Sequence, residues 1–197
     1  MSQTVSLEKK QSVNLSKKSP GLSKVALGLG WSPAKAGGFL GKMIGGNKEI
    51  DLDASCVMLD ANGREVDVVW FRKYESNCGA IKHSGDNRTG KGDGDDETIY
   101  VDLTRLPANV VTLAFTVNSF TGQAFDKVED AYCKVYDMAQ GKAAMAHFPL
   151  AEKGSHTGVF IASLSKQGNE WHFTAQGKAC PGRMIGDMLP TILRELA

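Results

Sequence analysis

The sequence predicts an all-β fold, a two-sheet β-sandwich with short helices that include one at the C-terminus. The chain has 197 residues, of which 42% are apolar and 23% charged, and this composition is typical of a globular domain with a sizeable core. Many short runs alternate apolar and polar residues, and Gly, Pro, Asn or Asp separates most of them. About ten or eleven strands at this spacing favour two packed sheets in a single domain covering 1–197.

The N-terminal strands are predicted from a repeat with an offset of eight residues, in which Val5-x-Leu7 and Val13-x-Leu15 are each followed by two lysines. A turn at 10–12 is expected between them. The run 110–120 is apolar on both faces, so we expect it in the middle of a sheet. The other strands are predicted at 25–31, 50–59, 66–71, 98–103, 131–136, 144–150, 156–164 and 171–178.

Two segments have helical character. Residues 123–130 are expected to form a short helix. Pro190 is expected to kink or restart a longer helix at the C-terminus. This helix is expected to pack on the sandwich, and docking of a partner helix is the alternative. Its apolar residues recur at helical spacing, at Met184, Ile185, Met188, Leu189, Ile192, Leu193 and Leu196.

Charge and hydropathy exclude several classes of protein. Lys and Arg number 23 against 22 Asp and Glu, so we expect no direct nucleic-acid contact. No apolar run approaches the ~18 residues that span a bilayer, and the first ten residues lack the apolar core of a secretory signal. The four cysteines have no metal-type spacing, and Cys56 and Cys133 alternate with apolar residues as core thiols do. These features predict a cytoplasmic protein.

The segment 83–97 contains the most informative cluster of candidate functional residues in the chain. Five carboxylates occur within residues 86–97, together with glycines that permit tight backbone and expose carbonyl oxygens. This combination suits Ca²⁺, which takes about 6–8 oxygen ligands, better than Mg²⁺ or zinc. The candidate metal ligands in this segment are Asp86, Asn87, Thr89, Gly92, Asp93, Asp95, Asp96 and Glu97.

A second acidic pair strengthens the metal hypothesis. Asp51 and Asp53 lie two residues apart in a predicted strand, so both are expected on the face opposite Leu52 and Ala54. If this strand end meets the acidic segment, seven carboxylates converge against two bases, for a net charge of −5. Like charges at that density repel unless a cation neutralises them. One Ca²⁺ would leave −3 and two would leave −1, which favours two calcium ions.

The acidic segment has three other interpretations, an EF-hand, a P-loop and a solvated turn. It has an EF-hand's length and its first and last residues, Asp86 and Glu97, but Arg88, Gly90 and Lys91 break the pattern. A phosphate-binding P-loop also fails, because the G-x-x-x-x-G-K-[ST] spacing is missing and the acidic charge would repel phosphate. A solvated acidic turn without a ligand is the remaining alternative.

Several motifs together resemble the TerD family of tellurium-resistance and stress proteins, most closely its TerZ-type members. The resemblance implies a β-sandwich that binds calcium through the acidic segment and the Asp-x-Asp strand. It also implies bacterial operons that confer tellurite resistance, with other tellurium-resistance or stress proteins as partners. The stretches that carry the resemblance are 13–17, 28–31, 51–55, 84–97, 106–110 and 116–120.

A flexible glycine-rich loop is predicted at about 32–48. It carries Phe39, Leu40, Met43 and Ile44 with lysines beside them, and it leads into the Asp-x-Asp strand. Basic and apolar residues together are typical of peripheral membrane attachment. We therefore expect a docking loop for a protein partner or for the anionic inner membrane surface. A loop folded over its own core is the alternative.

Two classes of function follow. The first is a non-catalytic calcium-binding protein of the stress response that scaffolds a tellurite-resistance complex. The second is a metal-dependent enzyme, or a protein that binds a small phosphorylated ligand. No nucleophile elbow or catalytic triad can be identified around Ser155-His156 or His83-Ser84, so we expect the first.

Overall fold

The two-sheet β-sandwich is confirmed by a computed structural model, which describes residues 3–33, 51–85, 94–141, 143–151 and 154–197. Two α-helices accompany the strands in this part of the chain, α1 (Leu15–Lys18) and α2 (Ile185–Leu196). The strands are β1 (Val5–Ser6), β2 (Ser12–Asn14), β3 (Lys24–Pro33), β4 (Leu52–Asp60), β5 (Glu65–Val69), β6 (Ile81–His83), β7 (Glu97–Asp102), β8 (Val110–Ser119), β9 (Val128–Asp137), β10 (Ala144–Pro149), β11 (Gly158–Gln167) and β12 (Glu170–Cys180).

Each sheet has six strands. Sheet A has the order β1-β10-β9-β3-β7-β6, and sheet B has the order β2-β12-β11-β8-β4-β5. Within the described residues, neighbouring strands pair antiparallel except for β1 and β10, which are parallel. The run predicted as a central strand is β8, which lies between β11 and β4 as expected.

Two apolar cores explain why β8 and β4 are apolar on both faces. The main core fills the space between the sheets and includes Leu52 and Ala54 of β4. A second core lies between the outer face of sheet B and α2, and it includes Val57 of β4. Ile185, Met188 and Ile192 of α2 are buried there, so the helix packs on the sandwich as predicted.

The helix α2 continues through Pro190, so it does not restart there, and the other half of the prediction, a kink, stays a prediction. Proline removes only one backbone donor, and the apolar face of the helix holds it against sheet B on both sides of that position. At its start, Asp187 Oδ2 accepts hydrogen bonds from the backbone nitrogens of Arg183 and Met184, at 3.1 and 3.3 Å. No helix within the described ranges is long and apolar enough to cross a membrane.

The N-terminal prediction was partly wrong. Leu15–Lys18 is helix α1 and not the second half of a strand, because Asn14 Oδ1 accepts the Lys17 N–H at 2.9 Å and caps a helical turn. The two strands of the repeat also join different sheets, since β1 pairs with β10 and β2 with β12.

Two further local predictions were corrected. The helix expected at 123–130 is only a 3-10 turn at Phe125–Lys127, because strand β9 already begins at Val128. The short edge strand β6 was not predicted, since three residues are too few to show a periodic pattern.

Candidate functional site

The predicted metal ligands are described only in part. Asp51 immediately precedes β4, Asp53 lies within it, and Asp95, Asp96 and Glu97 lead into β7. The predicted ligands Asp86, Asn87, Thr89, Gly92 and Asp93 lie outside the described residues, and so do the predicted docking residues Phe39, Leu40, Met43 and Ile44.

Glu97 joins the two sheets at the end of the acidic segment. Its side chain is completely buried, and its Oε2 accepts the backbone N–H of Ala54 at 2.7 Å. Pairing between β4 and β5 ends at Cys56 opposite Val69, so β5 supplies no partner for Ala54. The Glu97 carboxylate therefore completes the hydrogen bonding of β4 next to Asp53.

His83 packs against the same carboxylate, and it was not predicted to take part. The His83 side chain is fully buried, with Nε2 3.3 Å from Glu97 Oε2. Its Nδ1 accepts the Gly85 N–H at 3.0 Å, which assigns the proton of a neutral ring to Nε2, facing Glu97. The alternation of Ile81 and His83 around the exposed Lys82 was the only sequence signal for this position.

Asp51 and Asp53 are buried at the start of β4, with 9% and 2% of their surface exposed. Asp53 lies opposite Asn118 of β8, on the face of sheet B that points away from Leu52 and Ala54, as predicted. The backbone oxygen of Asp51 accepts the Phe120 N–H at 3.3 Å, so the strand pairing continues to this residue. Burial of carboxylates is costly unless donors or cations compensate it.

Asp96 and Asp95 continue the contact between β3 and the segment before β7. The Asp96 N–H donates to the Leu29 carbonyl at 2.7 Å, and Asp96 Oδ2 accepts the Trp31 N–H at 2.9 Å. Asp95 instead lies on the outer face of sheet A, the face that points away from sheet B. A Cβ placed on Gly28 would come within 1.9 Å of Asp95 Oδ2, so Gly28 provides the space that this carboxylate occupies.

The described carboxylates thus point in three directions. Asp53 faces the outer side of sheet B, Glu97 reaches from sheet A to the edge of β4, and Asp95 lies on the outer face of sheet A. Within the described residues, no three His, Cys, Asp or Glu side chains are grouped closely enough to hold a metal ion together. The hypothesis of a full ligand shell depends on positions outside those ranges.

Two tyrosines of β9 lie next to Asp95, and they were not predicted either. The Tyr132 hydroxyl donates to the Gly94 carbonyl at 2.9 Å. Burial, followed by the negative charge of Asp95, raises the pKa of Tyr132. Burial and a hydrogen bond to Asp95 raise the pKa of Tyr136 in the same way. A Cβ on Gly30 would meet the Tyr132 ring at 2.4 Å, so the small residues of β3 make room for this arrangement.

The cysteines have the structural role that was predicted for them. Cys56 and Cys133 are completely buried in the main core, and burial raises the pKa of each thiol. Such thiols remain protonated at neutral pH and pack as small apolar groups.

Comparison with known proteins identifies the relatives of this chain. The TerD domain model matches residues 3–189. The tellurium resistance protein TerZ of Serratia marcescens is 58% identical over 93% of the chain and 94% of its own length. The stress response protein SCP2 of Bacillus subtilis is 36% identical over 94% of the chain and 97% of its own length. A crystal structure of a telluride resistance protein (TerD) homologue from Streptomyces coelicolor shares the fold, with a TM-score of 0.66 at 22% identity, over 84% of this chain and 94% of that one.

Proposed function

The chain belongs to the TerD domain family, and on that premise we propose that it is a non-catalytic calcium-binding protein that scaffolds a tellurite-resistance or stress-response complex. Its relatives include a tellurium resistance protein and a stress response protein, and these support the biological context. Calcium binding and scaffolding are the proposed steps beyond that context.

The contact between Glu97 and Ala54 is the observation that carries the proposal. It holds the end of the acidic segment against the strand that contains Asp53, with Oε2 and the backbone nitrogen 2.7 Å apart. The end of the acidic segment and the start of β4 therefore lie next to each other at one end of the sandwich. Asp51, Asp53 and Glu97 are all at least nine-tenths buried, and a divalent cation would offset the cost of that burial.

The donor chemistry fits a hard cation. Carboxylate oxygens are the ligands that calcium prefers, and its coordination tolerates irregular geometry. The proposed ligands are Asp51, Asp53, Asp96 and Glu97, completed by Asp86, Asn87, Thr89, Gly92 and Asp93. When bound, two calcium ions would neutralise most of this negative charge. Asp95 is not used in this proposal, because its carboxylate lies against Gly28 on the outer face of sheet A.

Calorimetric titration tests the calcium site. Ca²⁺ should bind the wild-type chain, and Asp53→Asn should bind it at least tenfold more weakly. The matched control is Asp130→Asn, which removes the same charge at an exposed residue with φ of 51°, a conformation that Asn tolerates well. Absence of Ca²⁺ binding to the wild type would refute the proposal, and so would equal affinity of the two variants.

Thermal unfolding gives an independent readout. An ion that binds only the folded state adds about 2.7 kcal/mol of stability at 100 times its Kd. The melting temperature should therefore rise with Ca²⁺, change less with Mg²⁺, and fall back with EGTA. Equal melting temperatures under the three conditions would contradict a calcium site.

The scaffolding and membrane roles have a separate test. The proposed docking residues are Phe39, Leu40, Met43 and Ile44. Deletion of 39–44 should weaken binding to tellurium-resistance proteins or to anionic liposomes at saturating calcium. If the deletion leaves both unchanged while calcium titration remains normal, the loop is not a docking element.

A further inference from the structure

A groove lies on the outer face of sheet A, at the end of the sheet where β3 begins and β7 ends. Its volume is about 330 Å³. Tyr100 and Asp102 of β7 are on this outer face, because Ile99 and Val101, which alternate with them, belong to the main core. The groove, here called the basic groove, is lined in part by Lys24, Lys82, Tyr100, Asp102, Arg105 and Met138.

The strand register places a lysine on each side of β7. Lys82 of β6 pairs with Tyr100, and Lys24 of β3 pairs with Asp102. Because neighbouring strands lie about 4.8 Å apart, the two lysine Cα atoms are separated by about 12 Å across β7. The side chains of Lys24 and Lys82 are 61% and 56% exposed, so both ammonium groups are accessible to a ligand that lies above β7.

Arg105, from the turn after β7, contributes a third cation to the groove. Its side chain lies across Gly79, where a Cβ would come within 2.6 Å of Arg105 Nη2. The same nitrogen donates to the Cys78 carbonyl at 3.3 Å. Within the described ranges, no carboxylate lies within 4 Å of this guanidinium group. Since a guanidinium group has five N–H donors, several remain for a ligand.

The two carboxylates near the groove already have partners. Asp102 Oδ1 accepts the hydroxyl and the backbone N–H of Thr104, at 2.6 and 3.1 Å, and Asp102 Oδ2 is 3.4 Å from Lys24 Nζ. Glu75 Oε1 is 3.2 Å from Lys82 Nζ. Exposed ion pairs of this kind are weak. A phosphate group carries a charge of about −1.5 to −2 and three acceptor oxygens, so it competes well with a single carboxylate for these lysines.

The groove also has an exposed apolar surface. Tyr100 is 40% exposed and Met138 is 47% exposed, and both side chains line the groove. Tyr100 lies beside Lys82 in the strand register. A flat ring stacked on Tyr100 would therefore hold an attached phosphate group close to the cations.

We propose that the basic groove binds a small organic phosphate. The phosphate group accepts hydrogen bonds from Lys24, Lys82 and Arg105, and the flat ring of the ligand lies on Tyr100. An organic cation would be repelled by the three basic side chains. The groove lies where β7 ends, about 17 Å along this strand from Glu97, where the proposed calcium ligands are. This inference therefore does not depend on the calcium site.

Calorimetric titration of the full chain with phenyl phosphate in EGTA tests the groove. Phenyl phosphate should bind the wild type at least about tenfold more tightly than benzenesulfonamide, a neutral compound of similar shape. Arg105→Gln and Lys82→Gln should each weaken its binding by about fivefold or more. Equal binding of the two compounds, or unchanged affinity in Arg105→Gln, would overturn the proposal.

Two variants separate the groove from the net charge of the protein. Lys166→Gln removes the same charge as Lys82→Gln at an exposed position of β11 in sheet B, and it should keep wild-type affinity. If the two lysine variants lose affinity equally, the groove is not the site. Glu75→Gln removes the carboxylate partner of Lys82, so it should tighten binding by about two- to fivefold. Weaker binding in Glu75→Gln would contradict the exchange of the carboxylate for phosphate.

Further titrations test the ring and identify the source of the phosphate. Phenyl phosphate should bind at least about threefold more tightly than inorganic phosphate, and Tyr100→Ala should abolish this preference. An unchanged preference in Tyr100→Ala would refute the proposed position of the ring. Tighter binding of AMP than of acetyl-phosphotyrosine amide would identify the ligand as a free nucleotide, and the reverse order would indicate a phosphorylated tyrosine of a partner. If neither binds more tightly than inorganic phosphate, the groove holds an adventitious ion only and the proposal fails.

Discussion

Glu97 and Ala54 belong to different sheets, and the 2.7 Å hydrogen bond between Glu97 Oε2 and the Ala54 nitrogen joins those sheets where β7 and β4 begin. The bond satisfies a backbone donor that β5 does not reach. It also positions His83, whose Nε2 lies 3.3 Å from the same oxygen. The contact is thus both structural and part of the candidate site.

Substitution of Glu97 should separate its hydrogen-bonding role from its charge. Glu97→Ala leaves the Ala54 N–H without its partner. In EGTA, the free energy of unfolding of this variant should therefore be about 1–3 kcal/mol lower than that of Glu97→Gln. Glu97→Gln keeps a carbonyl acceptor in a side chain of nearly the same shape. Urea unfolding measures both values, and equal stabilities would show that the bond to Ala54 contributes nothing.

A side chain at Gly28 should displace Asp95. In Gly28→Ala the new Cβ would lie 1.9 Å from Asp95 Oδ2, so we expect the carboxylate to leave its place above β3 and the free energy of unfolding to fall by about 1 kcal/mol. Gly186, exposed in α2 with nothing within 4 Å of a Cβ, is the control. Gly186→Ala should be neutral or stabilise the chain by up to ~1 kcal/mol, as alanine favours helix. Thermal unfolding of both variants checks this, and a wild-type melting temperature for Gly28→Ala would be inconsistent with the contact.

The second core should account for the attachment of α2. Met188 is completely buried there and packs beside Gly158 of β11. Met188→Ala should reduce the free energy of unfolding by about 2–5 kcal/mol, because it removes buried methylene groups and leaves a cavity. Arg194→Ala, on the exposed side of the same helix, should change it by less than about 0.5 kcal/mol. Similar losses in the two variants, measured by denaturant unfolding, would argue against this packing.

The ion pairs of Glu195 at the end of α2 should make the stability of the protein depend on pH in the acidic range. Glu195 accepts from Lys10 Nζ and Lys178 Nζ, each at 2.7 Å, and these hydrogen bonds lower the pKa of Glu195 from 4.5 to about 2. Since the pKa is depressed in the folded state, the ion pairs stabilise the fold above pH 4.5 and lose their effect as the pH falls toward 2.

Glu195→Gln tests this dependence. The wild-type melting temperature should fall more steeply than that of Glu195→Gln between pH 4.5 and 2. The exposed Glu8→Gln should keep the wild-type slope. Parallel curves for the wild type and Glu195→Gln would show that the two lysine contacts do not stabilise the fold.

Local patterns were sufficient to predict most strands and the buried face of α2. Alternation around Cys56 and Cys133 identified core positions that are completely buried. The pattern misled at Leu15, where a side-chain cap on Asn14 outweighs an alternation that continues from Val13. The alternation of apolar and polar residues gives no information about a single side-chain hydrogen bond at the start of a helix.

For the candidate site, the sequence supplied a hypothesis about residue types and missed their surroundings. The density of carboxylates around Glu97 was interpreted as a cation site, which stays a prediction, and nothing indicated that Glu97 would bond to Ala54 or contact His83. The motif at Gly28 and Gly30 was recognised only as part of a resemblance. Its physical reason, space for Asp95 and for the Tyr132 ring, became visible in the structure.

The sequence by itself determined most of the strands and which side chains avoid water, because both depend on the spacing of apolar residues along one chain. Only the tertiary structure decided that β1 and β2 enter different sheets and that Asp95 and Glu97, two residues apart, reach opposite sides of sheet A. Strand pairing and register arise from contacts between distant segments. The alternation of apolar and polar residues within one strand does not specify which other strand it pairs with.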